Sequence, residues 1–302
     1  MSQATELMQK IVERHAALGL DSNTDAGALP ADDSAQAIAY AAARRLGFIP
    51  ADADVVARAW QRQSERTGTF DPDAWPVEPA DFGVPEGPRS DAFAPCPHEL
   101  GLYAVLPSAE WVGRMARAGL PTVQLRFKSQ DAEAIRAEIR AAVEAVRGTA
   151  SLLFINDHWR EAIAAGAYGV HLGQEDLDTL SAEELAQIRD AGLRLGLSTH
   201  GYAEMLRADA VGPSYLALGA VFPTTLKAMA TPPQGTGRLQ AYARLMRQRS
   251  LVAIGGIATE QLPEIAASGV GSFAVVRAIT GAADPEVAAA ALQQAWDQAR
   301  QR

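Results

Sequence analysis

Residues 151–176 read SLLFINDHWREAIAAGAYGVHLGQED, and the stretch holds a complete strand–helix–strand unit. SLLFIND (151–157) is an apolar run of strand length, the helical pattern covers 158–166, and YGVHLG (168–173) is a second apolar run. About ten residues separate the two runs, which leaves room for a crossover helix and none for a tight hairpin, so the strands are predicted to be parallel. Equivalent runs stand at GLYAVLP (101–107), TVQLRFK (122–128), LRLGLSTH (193–200), SYLALGAV (214–221), LVAIGG (251–256) and SFAVVRA (272–278). Helical patterns at 108–119, 130–147, 181–192, 201–210, 237–249, 259–268 and 284–300 alternate with them. Eight such units in about 200 residues predict an α/β chain closed into a compact (β/α)8 TIM barrel. A doubly wound open sheet has fewer strands and a glycine-rich first turn, and neither feature is present.

Upstream of the barrel the character changes. Helix-like segments at about 3–17, 33–46 and 52–66 predict a small helical extension over residues 1–69, with Asp33 and Asp52 as candidate caps. Seven prolines (Pro72, Pro76, Pro79, Pro85, Pro88, Pro95, Pro97) then crowd residues 70–98, which read as an extended linker or surface strap without regular helix. The barrel is expected to fill 99–302. The first 98 residues carry a net charge of −7 and the rest −2, so most of the acidity of this chain of net charge −9 lies outside the barrel.

Composition narrows the function classes. No apolar run approaches the length of a membrane helix, and the N-terminus lacks the apolar core of a secretory signal. The single cysteine, Cys96, excludes an intramolecular disulfide and a thiolate metal site and suits a reducing cytoplasm. The acidic balance argues against a nucleic-acid partner. Small-molecule substrates are expected, and a homo-oligomer is compatible with the sequence.

In a barrel the chemistry gathers where strands end and βα loops begin. Those positions hold Gln124, Arg126 and Lys128 after strand two, Asn156 and Asp157 after strand three, Asp176 after strand four, and Ser198 and His200 after strand five. Thr224, Thr225 and Lys227 follow strand six, Gly255 and Gly256 strand seven, and Arg277 strand eight. Asp157 and Asp176 are hard oxygen ligands of the kind Mg²⁺ takes together with substrate phosphates. Arg126, Lys128 and Lys227 match phosphate or diphosphate oxygens. Gln124, Asn156 and Ser198 suit the edge of a polar heteroaromatic ring, and paired glycines let backbone N–H groups approach a second anion. His171, mid-strand among apolar neighbours, reads as a core histidine.

These segments together resemble one family. QLRFK (124–128), ND (156–157), GVHLGQED (169–176), GLSTH (196–200), GAVFPTTLK (219–227), PPQG (232–235), AIGGI (253–257) and VVRAIT (275–280) look like thiamine phosphate synthase, in order and spacing, over about residues 100–298. The resemblance implies a transferase that couples 4-amino-5-hydroxymethyl-2-methylpyrimidine diphosphate to 4-methyl-5-hydroxyethylthiazole phosphate, or its carboxylate. It implies that Gln124, Leu125, Arg126, Phe127, Lys128, Asn156, Ser198 and Lys227 bind the pyrimidine diphosphate. Arg126, Lys128 and Lys227 would aid its departure, and Asp157 and Asp176 would hold Mg²⁺. Thr224, Thr225, Leu226, Gly256, Val276 and Arg277 would hold the thiazole phosphate. Leu226 and Arg277 depart from the threonine and serine usual there, which makes Arg277 a candidate replacement for lost phosphate contacts. A thiazole tautomerase of the same barrel family and a non-catalytic paralogue that binds thiazole phosphate are the competing readings.

Overall fold

The structure is a computed structural model, and it describes residues 2–21, 24–87, 89–224 and 231–301. Among these, eight strands form a closed, all-parallel barrel in sequence order: β1 (Gly101–Leu106), β2 (Thr122–Leu125), β3 (Leu152–Asn156), β4 (Gly169–Leu172), β5 (Arg194–Thr199), β6 (Tyr215–Gly219), β7 (Leu251–Ile254) and β8 (Ser272–Val275). The extension contributes α1 (Gln3–Arg14), α2 (Ala35–Arg45), α3 (Pro50–Thr67) and the one-turn α4 (Pro79–Phe82). The outer layer comprises α5 (Ala109–Arg117), α6 (Ala132–Ala145), α7 (Trp159–Ala165), α8 (Gln174–Thr179), α9 (Ala182–Asp190), α10 (Tyr202–Ala210), α11 (Gly235–Leu245), α12 (Leu262–Ala267), α13 (Arg277–Thr280) and α14 (Pro285–Arg300).

Pleat parity divides the strand residues between two cores. Leu102, Val123, Leu125, Leu153, Ile155, Val170, Leu195 and Leu216 face the helices. Tyr103, Val105, Phe154, Tyr215, Ala217, Val252 and Ala274 fill the barrel interior. Two strand glycines make room for the interior rings. A Cβ on Gly169 would lie 2.5 Å from the Phe154 ring, and one on Gly196 would lie 2.1 Å from Tyr215. Large residues thus alternate with none at all around the small barrel.

Two expectations about the first 98 residues need correction. Proline does not exclude helix from 70–98: Pro79 opens α4 at its first turn, where the missing N–H has no partner to lose. Nor do the two aspartates cap their own helices. Ser34 caps α2, and α3 begins at Pro50, two residues before Asp52. The proline-rich segment runs along the N-terminal end of the barrel, where Phe93 N donates to the Gly212 carbonyl, Ser214 Oγ to Ala94, Arg194 to Pro95 and Ser250 Oγ to Pro97.

The helical part docks on α10 and α11. Phe48 and Trp75 stack, as do Phe82 and Tyr202, while Trp75 Nε1 donates to the Tyr202 hydroxyl at 3.0 Å. Arg238 of α11, 2% exposed, lies 3.7 Å from the Phe48 ring centroid and donates to the carbonyls of Leu18 and Leu46. Asp52 Oδ1 accepts from the Ala203 N–H of α10 at 2.8 Å. Burial pushes the Asp52 carboxyl up to about 6; the Ala203 N–H and Arg238 oppose this and Glu204 adds to it. The folded protein therefore holds this proton more tightly than the unfolded chain, and ionising Asp52 as pH rises from about 4 to 6 costs stability that is not regained above it. Asp52→Asn removes the titration. Between pH 4 and 7, the stability difference is expected to move in the variant's favour by up to about 3 kcal/mol, read from urea midpoints. A difference independent of pH would show that this carboxyl is solvated.

Candidate active site

The C-terminal rim of the barrel opens into a cavity of about 660 Å³, within the range of small-molecule sites. Gln124, Arg126, Lys128, Asn156, Asp157, Asp176, Ser198, Thr224, Gly256, Val276 and Arg277 all line it. Leu125 and Phe127 do not. They have the opposite parity in the QLRFK run, so Leu125 is buried and Phe127 half-buried against the helical layer. Their side chains pack in the core rather than lining the cavity. Thr225, Leu226 and Lys227 lie outside the described residues.

Each polar group has a structural cause for its place. Asp157 follows β3 directly, with φ +66, a left-handed conformation uncommon outside glycine. Its Oδ2 accepts from Lys128 Nζ at 3.1 Å across the rim. Asp176 stands in the first turn of α8 rather than on a loop, and its Oδ2 accepts from the Gly173 N–H at 2.7 Å. Burial pushes its carboxyl up; the Gly173 bond opposes this, and the Asp157 carboxylate adds to it. Arg277 opens the one-turn α13 and is exposed to the cavity. Among the described residues neither Arg126 nor Arg277 enters an ion pair, so both cations remain available to an external anion.

The barrel interior adds a feature that the linear sequence hides. Gln124 Nε2 donates to the Tyr103 hydroxyl at 2.9 Å, and that hydroxyl is 2.8 Å from the Tyr215 hydroxyl. Tyr215 is 2.7 Å from His171 Nδ1, and His171 Nε2 is 2.8 Å from Ser198 Oγ. Five side chains from β1, β2, β4, β5 and β6 thus form one chain beneath the cavity floor. Gln124 donates at one end, so the other protons can follow in one direction: Tyr103 to Tyr215, Tyr215 to His171 Nδ1, and Nε2–H to Ser198. Burial holds both phenols well above the usual tyrosine range, so they stay neutral donors. His171 is thus buried with both ring nitrogens bonded, the core histidine that the sequence suggested, and it also lines the cavity. Tyr103 and Tyr215 were hidden because tyrosine at a strand position reads as packing.

A closed parallel barrel with phosphate-matching cations and paired carboxylates at its C-terminal rim defines a TIM-barrel enzyme for small anionic substrates. Residues 102–279 match the family model described as thiamine monophosphate synthase. The thiamine-phosphate synthase of Neisseria meningitidis serogroup B is 53% identical over 205 residues, 68% of this chain and 98% of that one. That of Photorhabdus laumondii is 48% identical over 200 residues, 66% of this chain and 91% of that one. The solved thiamine phosphate pyrophosphorylase of Pyrococcus furiosus superposes with a TM-score of 0.58 at 27% identity, covering 66% of this chain and 96% of that one. The chain belongs to the thiamine monophosphate synthase family. It is accordingly a transferase that makes thiamine phosphate.

The buried relay gives a direct test. Tyr215→Phe keeps the ring and leaves the Tyr103 hydroxyl and His171 Nδ1 without their shared partner. The expected result is a loss of kcat/KM for the pyrimidine substrate of about tenfold, the scale of one lost buried hydrogen bond. KM for the thiazole substrate should stay unchanged in the same steady-state assay.

Proposed function

We propose that the barrel joins 4-amino-5-hydroxymethyl-2-methylpyrimidine diphosphate to 4-methyl-5-hydroxyethylthiazole phosphate by dissociative substitution. The C–O bond to the diphosphate breaks first and its electron pair leaves with the diphosphate. The thiazole nitrogen then supplies the pair for the new C–N bond to the pyrimidine methylene. The observation that carries this reading is the single cavity that gathers an amide-lined floor, a cationic and carboxylate rim, and a glycine-lined far wall. A thiazole tautomerase or a non-catalytic binder would have no use for the diphosphate half of that set.

Gln124, Asn156 and Ser198 are assigned to the pyrimidine edge, and Arg126, Lys128 and Lys227 to the diphosphate oxygens. Removing charge from the leaving group before the bond breaks is the work asked of these cations. The aminopyrimidine stabilises its own methylene cation, so the protein needs no nucleophile. On the far wall, Thr224, Gly256, Val276 and Arg277 are assigned to the thiazole phosphate; the family resemblance adds Thr225 and Leu226, which lie outside the described residues. Gly255 and Gly256 have φ of +105 and +66 there, and a Cβ on Gly256 would lie 2.6 Å from the Pro223 carbonyl, so glycine lets the loop after β6 close on this wall.

Among the described residues no group of three or more acidic, histidine or cysteine side chains could hold a metal by itself. Two carboxylates on one rim do fit Mg²⁺, which completes its shell with phosphate oxygens and water. Asp157 and Asp176 would hold it, and when bound it would supply Lewis-acid neutralisation of the leaving diphosphate. Cys96, a free thiol, is consistent with work in the reducing cytoplasm.

Purified protein with both substrates and Mg²⁺ is expected to form thiamine phosphate, detected as thiochrome fluorescence, with at least about 100-fold less from Asp157→Ala. Absence of product from the parent protein would remove the proposal. In the same assay Arg277→Ala should raise KM for thiazole phosphate about tenfold or more, the worth of a charge-assisted contact, with KM for the pyrimidine unchanged. An unchanged thiazole KM would assign that phosphate to the backbone alone.

A further inference from the structure

We infer that the extension is a positioning element of the active site: Asp52 supplies, from outside the barrel, the N-terminal cap that α10 lacks, and so holds the turn that follows Ser198 at the end of β5. The inference rests on the reading of Ser198 as a pyrimidine contact.

The turn His200–Gly201 joins the end of β5, where Ser198 and Thr199 are the last two strand residues, to α10. Its N-cap residue is Gly201, which has no side chain to satisfy the first N–H groups of the helix. Asp52 Oδ1 accepts instead from Ala203 N, the second helical residue, at 2.8 Å, which is the bond a capping aspartate within the turn would make. The two positions are 151 residues apart. Glycine at 201 is explained by the same contact, since a Cβ there would stand 2.1 Å from Asp52 Oδ2.

The cavity side of the turn is fixed by other groups. Ser198 Oγ meets His171 Nε2, and the Ser198 carbonyl accepts from Gln174 Nε2 at 2.8 Å. His200, which lines the cavity, bonds Glu204 through its ring and its N–H. Asp52 is thus the outer anchor of a turn otherwise held only from within.

A second contact repeats the arrangement one unit on. Gly237 in α11 packs so closely that a Cβ would lie 2.0 Å from the Ala17 carbonyl, and Arg238 ties the same turn to Leu18 and Leu46. Gln234 and Gly235, just before it, donate to the Ala220 and Val221 carbonyls at the end of β6. The extension therefore grips the helices that follow β5 and β6, the two strands that deliver Ser198 and Thr224, and the cost of burying Asp52 is incurred where it sets a site turn.

The test is a set of full-length variants assayed at a temperature where circular dichroism shows each to be folded. Asp52→Ala should raise KM for pyrimidine diphosphate about tenfold, the scale of a lost cap, with KM for thiazole phosphate unchanged. Asp52→Asn, which keeps the acceptor, should stay within about twofold of the parent. Adding Gly201→Asp to Asp52→Ala supplies the cap within the turn and should restore KM while the melting temperature stays low. A fall in melting temperature with both KM values unchanged would reduce the extension to a stabiliser and overturn the inference. If Asp52→Ala does not fold, Gly201→Ala breaks the same contact from the barrel side, and the same KM criterion decides. Hydrogen exchange needs no turnover: amides 198–206 should exchange faster in the variant, with β1–β4 unchanged, and equal rates would overturn the inference. An inactive parent would count against the proposed reaction and leave this arm to judge the cap.

Discussion

Two tyrosine hydroxyls are buried in the barrel interior, and the need to pair them runs through the site. Tyr103 and Tyr215 are each 1% exposed and lie on strands that are not neighbours. Their 2.8 Å bond spans the interior and is possible only because every strand turns the same pleat parity inward. A polar pair so buried must be completed on both sides or cost more than it returns. Gln124 completes it on one side and His171 on the other, and Ser198 closes the sequence. The cavity floor is thus polar and hydrogen-bonded throughout, while the lysine, arginine and aspartate side chains stay at the rim.

That separation of hydrogen-bonded floor from charged rim suits the proposed substitution. Lys128 and Asp157 are exposed enough to reorganise around a diphosphate and a cation, with side chains 60% and 38% accessible. The floor groups cannot reorganise without breaking the relay. In the proposed reaction, recognition of the ring falls to the interior groups and neutralisation of the leaving group to the rim, at different depths of the same barrel.

The sequence carried much of this in plain view, because a parallel barrel needs the same apolar run eight times and puts its polar residues at one end of each. The period-two alternation in QLRFK even separates Gln124, Arg126 and Lys128 from Leu125 and Phe127, although a contiguous motif invites reading all five as contacts. What it concealed was set by long-range geometry. Tyr103 and Tyr215 look like packing until β1 and β6 face one another. Asp52 looks like the cap of the helix it sits in, since a cap is identified by local spacing and this one acts on a helix 151 residues away. The one-turn helices α8 and α13 are too short for periodicity to reveal.

Charge explains how so acidic an extension coexists with anionic substrates. Some of its carboxylates are answered locally: Asp73 by Lys10, Asp81 by Arg66, Asp25 by Arg44 and Asp91 by Arg89. It docks on the outward faces of α10 and α11, while Arg126, Lys128 and Arg277 point into the cavity at the strand ends. With a screening length of about 8 Å at physiological salt, exposed acids on that outer face add little at the rim. The exception is Asp52, which is buried where screening is weak, and the Ala203 N–H and Arg238 both stabilise its charge. The extension can therefore grip the site mechanically and leave its anion-binding potential to the barrel.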